Sequence, residues 1–394
     1  MTAPSRQLRL ALALLLAVSA LAGAWLWRGG DRTALPAEIE NSLQLRGLAP
    51  NRWFRYHEAQ PGWTRQGHAG MAFDSKRGTL LVFGSDTHGQ NWDNSVHEFD
   101  PRRKRWETHQ PLAGPQTYRV DAAGVPVAGT QELMPWAMHT YDALEYHPGL
   151  DALVVMSTTD HNPAAGKAGR PAREPTWLYD LTRRQWRQLD NQGQPSPSFF
   201  GGSAAFDERR GILVAYRHGV WEMDAAGVWR RASPQARHSM HHTMVYDRRR
   251  GELLVFGDYR ATNLVWRYRP GERHGDEGEW VSNQVAAESC PRLSSVPAAY
   301  AAAEDLVVLV VDEAAPGQAP GAQPDTASTY FYDPASATCS KLPKGNLPRV
   351  GMNFMMVWDS VHEVVLLVTG DWQGSVTVWA MKPQRPPVSD RRPR

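Results

Sequence analysis

Six times along this chain of 394 residues the same unit returns: an apolar strand, an Asp-rich turn, a second apolar strand, then an aromatic-Asp pair with Trp a few residues on. The clearest copies are His68–Asp74 followed by Thr79–Gly84, and His241–Asp247 followed by Glu252–Gly257. One such sheet cannot bury both of its faces by itself, so the repeats must stack on their neighbours. That requirement narrows the architecture to a solenoid or a closed ring of sheets.

Aligned on their first turns, the copies place Asp74, His147, Asp207, Asp247, Ala302 and Asp359 at one equivalent position. Three of these hairpins close on Gly78, Gly211 and Gly251, where a positive φ costs least. The second strands, such as Leu153–Met156, Ile212–Ala215, Leu306–Val311 and Val364–Val368, are nearly continuous apolar runs, which suits strands covered on both faces. Third and fourth strands follow as Val96–Pro101 with Trp106, Trp177–Asp180 with Trp186, Val220–Asp224 with Trp229, and Val265–Tyr268 with Trp280. Cys339 takes the Trp place in the fifth unit, and the repeated Trp reads as packing between sheets. The sixth unit ends at Trp379 with no fourth strand, while Asn51–Tyr56, carrying Trp53, reads as an orphan fourth strand. Pairing the two closes the ring and removes its open edges.

The motif Arg65–His68, the pair Phe83-Gly84, the run Phe99–Pro101 and Trp106 resemble a blade of the Kelch family, within the galactose oxidase-like propellers. The resemblance spans residues 51–383 and implies an all-β, six-bladed Kelch-type β-propeller. It departs from the family at the usual Gly pair: one Gly remains at Gly84, Gly257 and Gly370, and none at Met156-Ser157, Ala215-Tyr216 or Val311-Asp312. Among relatives in that superfamily, the oxidases use copper with a Cys–Tyr crosslink, whereas both cysteines here are better explained within the fifth blade. No cofactor is expected. No His-x-His, His-Glu-x-x-His or EF-hand spacing occurs either, so no metal is expected.

The N-terminus speaks to location. Arg6 and Arg9 flank an uncharged run that extends from Leu10 to Trp27. We expect a cytoplasmic segment over 1–7, a transmembrane signal anchor over 8–27 and a linker over 28–50, with the propeller on the exported side. A cleaved signal peptide is the rival reading, since Ala20-Leu-Ala22 and Ala22-Gly-Ala24 offer small-residue cleavage patterns; the apolar run continues past both and favours the anchor. In the linker, Leu35, Ile39 and Leu43 recur every four residues around Pro36 and predict a short helical turn. A disordered tail is expected over 384–394. Export makes a Cys290–Cys339 disulfide the leading reading, with two unpaired small apolar side chains as the alternative. A net charge of +2, with no basic run interleaved with aromatics, argues against a nucleic-acid partner.

Function is expected where the long connections lie. Second-to-third strand loops and blade-to-blade connections share one face, and they hold the insertions Ala113–Met138, Asp160–Pro175 and Asp312–Ser328. That face also collects Asp86, His88, Asp160, His161, His218, Asp258, Asp312 and Asp371 after second strands. Arg65, Arg237, Arg292 and Arg349 precede the first strands, and His68, His139, His241 and His242 open them. The histidines have a structural reading as backbone-bonding groups, and the aspartates have one as turn residues. Converging arginines call for an anion or for internal carboxylates. The expected function is a binding module that offers this mouth to a glycan or envelope protein. The alternative, suggested by the sialic-acid isomerases of the Kelch family, is an anionic-sugar mutarotase or isomerase using an Arg and a His or Glu.

Overall fold

The structure, a computed structural model, describes residues 35–63, 67–89, 91–189, 196–260, 263–284, 289–313, 326–370 and 374–386. Two units are present, 1–40 and 41–394. Of the first, only 35–40 are described, and they hold the first turn of the helix Ala37–Arg46. The proposed segment over 8–27 lies outside the described residues, and no helix among those described is long and apolar enough to cross a membrane.

Residues 41–394 form six four-stranded antiparallel sheets. Blade 1 runs Gly70–Asp74, Thr79–Phe83, His97–Asp100 and Arg105–Thr108, with Gly70 opposite Phe83 and Asp74 opposite Thr79. The inner strands of blades 2 to 6 are Leu144–His147, Ser203–Asp207, Thr243–Asp247, Ala298–Ala301 and Met356–Asp359. In blade 6 the outermost strand is Phe54–Ala59, which pairs antiparallel with Val376–Met381 from Phe54 opposite Ala380 to Ala59 opposite Val376. The closing strand thus begins three residues later than Asn51–Tyr56 suggested. Trp53 lies just ahead of it and donates its indole N–H to Thr329 Oγ1 at 2.8 Å in blade 5.

The hydrophobic core lies between blades rather than within them. Second strands are buried along their whole length, as in Thr79–Phe83 and Glu252–Phe256. The repeated Trp reaches back to the preceding blade: Trp186 packs 4.9 Å from Phe83 and Trp280 4.8 Å from Tyr216. On the hairpin face the recurring Asp is a buried anchor. Asp74 accepts hydrogen bonds from the N–H groups of Lys76 and Arg77, and Asp207, Asp247 and Asp359 repeat the pattern. Arg77 pairs with Asp74 and donates two 2.8 Å hydrogen bonds to Asp151 of blade 2; Arg250 links Asp247 to Asp305 of blade 5 in the same way. The Arg77 pairing holds the Asp151 carboxyl well below the usual carboxylate range.

Cys290 and Cys339 are joined as a disulfide with their Cα atoms 5.0 Å apart. Within the expected tail, Gln384 donates its N–H to Asn51 Oδ1, and Arg385 binds Asp333 Oδ2 at 2.7 Å and the carbonyl of Asp305 at 2.9 Å. The chain is therefore fixed two residues beyond the predicted end of the propeller.

Candidate functional site

On approaching each inner strand the chain passes through a left-handed turn: His68 (φ 61°), Tyr141 (49°), Gly201 (63°), His241 (66°), Ser295 (51°) and Gly351 (59°). The turn is a property of the repeat, because every blade must bend from its neighbour's outer edge into the centre. Where glycine would relieve it, blades 1, 2, 4 and 5 instead carry His68, Tyr141, His241 and Ser295. An L-residue held at positive φ costs of order 1 kcal/mol or more and persists only where the surroundings enforce it. Backbone bonds around the ring do so: His68 N–H donates to Met352 O, the N–H groups of Thr140 and Tyr141 to His68 O, and His241 N–H to Gly201 O.

These turns bring a closed set of rings together at the mouth. His68 lies 5.8 Å from His88, His88 5.2 Å from His161, and His161 4.9 Å from Phe200. Phe200 is then 5.9 Å from His241, His241 4.4 Å from Tyr141, and Tyr141 5.3 Å from His68. His139 sits at the floor, stacked on His68 at 4.3 Å and 4.6 Å from His88. His88, His161 and Tyr259 reach solvent, whereas His139, Tyr141 and His241 are buried.

Two insertions support this floor. The segment Ala113–Met138 packs its own small core around Tyr118, Met134 and the fully enclosed Trp136, and it delivers His139 from its end. Asn162, next to His161, donates its side-chain N–H to Ala137 O at 2.6 Å and ties the second insertion to the first. Of the third insertion, 314–325 lie outside the described residues.

The protonation pattern follows from donors and burial. The backbone N–H of Thr87 can only donate, and it points at His139 Nε2 at 3.2 Å, so Nε2 is an acceptor and the ring proton sits on Nδ1, facing Tyr141 Oη at 3.2 Å. Burial, helped by neighbouring His68 and His88, pushes the His139 pKa down to about 3. Burial likewise lowers His241 to about 4 and raises the Tyr141 phenol. Both ring nitrogens of His241 lack a hydrogen-bond partner although the residue is only 4% exposed. Asp86 lies 3.2 Å from His68 Nδ1 and 3.9 Å from His139 Nε2.

Of the residues singled out in the sequence, His68, Asp86, His88, His139, His161 and His241 meet in this cluster. The others have separate engagements. Asp160 accepts a hydrogen bond from Thr158 Oγ1. Asp258 is fully buried, bound by Arg260 and the Ser239 N–H, and His242 is buried against Ser203 Oγ and Tyr216. The three described arginines of the expected set have other neighbours: Arg237 bonds Gln235 and lies over Trp266, Arg349 faces Asp312 at 3.5 Å, and Arg292 is exposed. Arg65 and Asp371 lie outside the described residues. Tyr141, Phe200 and Thr87 were not anticipated. Only the place of Tyr141 and Phe200 at the approach to an inner strand could have signalled them.

A cavity of about 340 Å³ lies between the inner strands. Asp142, Glu145, Glu208 and Arg248 line it. Burial raises the Asp142 carboxyl well above its ordinary value and lifts Glu145 to about 8.

No protein-family model matches the chain, and no curated protein matches it. Among solved structures it is similar to a structural genomics protein of unknown function from Bacteroides thetaiotaomicron VPI-5482, at 8% sequence identity and a TM-score of 0.45, covering 80% of this chain and 70% of that one. The six-bladed assignment rests on the sheet topology itself.

Proposed function

We propose that this chain is a Kelch-like propeller of the cell envelope, held to the membrane by residues 8–27, whose mouth binds a glycan. The observation that carries the reading is the set of aromatic rings around His241, whose two buried nitrogens have no partner in the protein. Buried polar atoms of this kind are normally satisfied, so a ligand hydroxyl is a fitting complement. Phe200 and Tyr259 offer ring faces for the C–H face of a sugar, and His88 and His161 form a polar rim. An isomerase acting on an anionic sugar would need an arginine beside its acid–base group; Arg237 and Arg349 are engaged with Gln235 and Asp312, and Arg217, close enough to act on His241, is the arginine a second reading of this kind would use.

The test is a glycan-array and small-sugar screen on the full chain in detergent, followed by titration of the best ligand. Phe200→Ala and His241→Asn are each expected to weaken binding about tenfold, near 1.4 kcal/mol, with unchanged thermal unfolding midpoints. Asn tolerates the left-handed backbone at position 241. A screen with no binder, or wild-type affinity in both variants, would remove the reading.

A further inference from the structure

We infer that the mouth holds a divalent transition-metal site made by His68, Asp86 and His139. One donor atom from each of these residues lies within 4.8 Å of the other two. Two imidazole nitrogens and one carboxylate oxygen form a donor set suited to zinc-type ions, and it leaves further coordination positions open toward the mouth. The inference holds whichever organic ligand the mouth takes.

Several features fit a site built for an ion. The three donors come from separate segments: the turn into blade 1, the loop after that blade's second strand, and the end of the first insertion. His68 keeps its left-handed backbone, which is the conformation that sets its ring parallel to His139 at 4.3 Å. His68 Nδ1 is buried without a hydrogen bond and stands 3.2 Å from Asp86 Oδ1, a separation typical of two ligands on one ion. His139 has its orientation fixed from behind, because its Nδ1–H faces Tyr141 Oη and leaves the Nε2 lone pair on the Asp86 side, where Thr87 now occupies it. Metal-bound histidines are commonly held in this way by a hydrogen bond on the other ring nitrogen.

Thr87 is the one group in the way. Its backbone N–H at 3.2 Å and its hydroxyl at 3.0 Å both meet His139 Nε2, so the backbone at Thr87 must shift as well as the hydroxyl turn aside when an ion arrives. Held by one carboxylate and two imidazoles, a dication is partly neutralised and retains a charge that can polarise a ligand oxygen. His88 and His161, on the solvent side of the cluster, stand where a fourth ligand would approach.

Titration of the metal-stripped full chain with Co²⁺ at pH 7.5, without a polyhistidine tag, tests the site. The protein's two cysteines are paired and offer no competing thiolate. The expected result is one equivalent bound, with visible d–d absorption, and a raised unfolding midpoint with Zn²⁺. Asp86→Asn should weaken Co²⁺ binding at least tenfold, and His68→Gln should do the same if the first variant fails to fold. His218→Ala, a mouth-face histidine outside the cluster, should bind as wild type. No Co²⁺ spectrum in the wild type, or wild-type affinity in Asp86→Asn and His68→Gln, would overturn the site. Glycan binding that survives metal removal would leave the proposed function standing when this inference falls.

Discussion

At the scale of single residues, the chain hides titratable groups where they must stay uncharged. His238 is buried against Tyr216, Trp280 and His242; Tyr216 Oη and His238 Nδ1 are 3.0 Å apart. Burial lowers its pKa to about 4, and nearby Arg217 and Arg260 act in the same sense while Asp258 opposes them. The unfolded histidine titrates near 6.5, so below that pH the unfolded state takes up a proton that the folded state refuses. Stability is therefore full above about pH 6.5 and declines as the pH falls toward 4, by up to about 1.4 kcal/mol per unit for this residue. His242, whose pKa burial also depresses, adds to the slope. We expect the unfolding midpoint of His238→Asn to fall less steeply between pH 6.5 and 4.5 than that of the wild type. An identical slope would show that His238 is not the sensor.

At the scale of elements, one strand decides whether the ring exists. Phe54–Ala59 supplies the outer edge of blade 6 from a place more than 300 residues away in sequence; Trp53 ties it to Thr329 and Tyr56 to the carbonyl of Pro101. Without it the outer edge of Val376–Met381 is left unpaired, its inner edge remaining on Val364–Gly370. Deleting residues 51–59 should lower the thermal midpoint markedly and promote self-association through the exposed edge. Calorimetry and light scattering read both effects, and an unchanged midpoint would sink the closure. The legibility of this element was uneven. The missing fourth strand of the sixth repeat pointed to Asn51–Tyr56, yet the paired segment is Phe54–Ala59, because edge register is set by which side chains meet Val376–Met381. Strand ends carry little signal of their own.

At the scale of the molecule, the propeller is a ring of inter-blade joints: Trp against the preceding blade, Arg77 to Asp151, Arg250 to Asp305, and Arg385 to Asp333. The Cys290–Cys339 crosslink belongs to this level, since it pins the approach to blade 5 onto that blade's outer strand. In an oxidising compartment it should form quantitatively. Non-reducing peptide mapping of protein recovered from the envelope is expected to yield the linked pair, and free thiols at both positions would contradict the disulfide and weaken the case for export together.

The repeat was open to reading in the sequence because each blade satisfies a local rule: an apolar second strand covered on both faces, an Asp that caps its own hairpin, a Trp at a constant offset. Such patterns depend on neighbours close in the chain. The histidines at positions 68, 139 and 241 could likewise be placed on one face from topology alone. Their mutual contacts could not, because His68, Asp86 and His139 belong to different segments and meet only once the first insertion has packed around Trp136. The same physics dispersed the arginines. Arg237 and Arg349 share a face with the cluster, but a long flexible side chain settles on the nearest carboxylate, amide or ring, and here those neighbours are Gln235, Trp266 and Asp312. Face membership was a property of strand order, whereas donor geometry was decided by packing between segments distant in the chain.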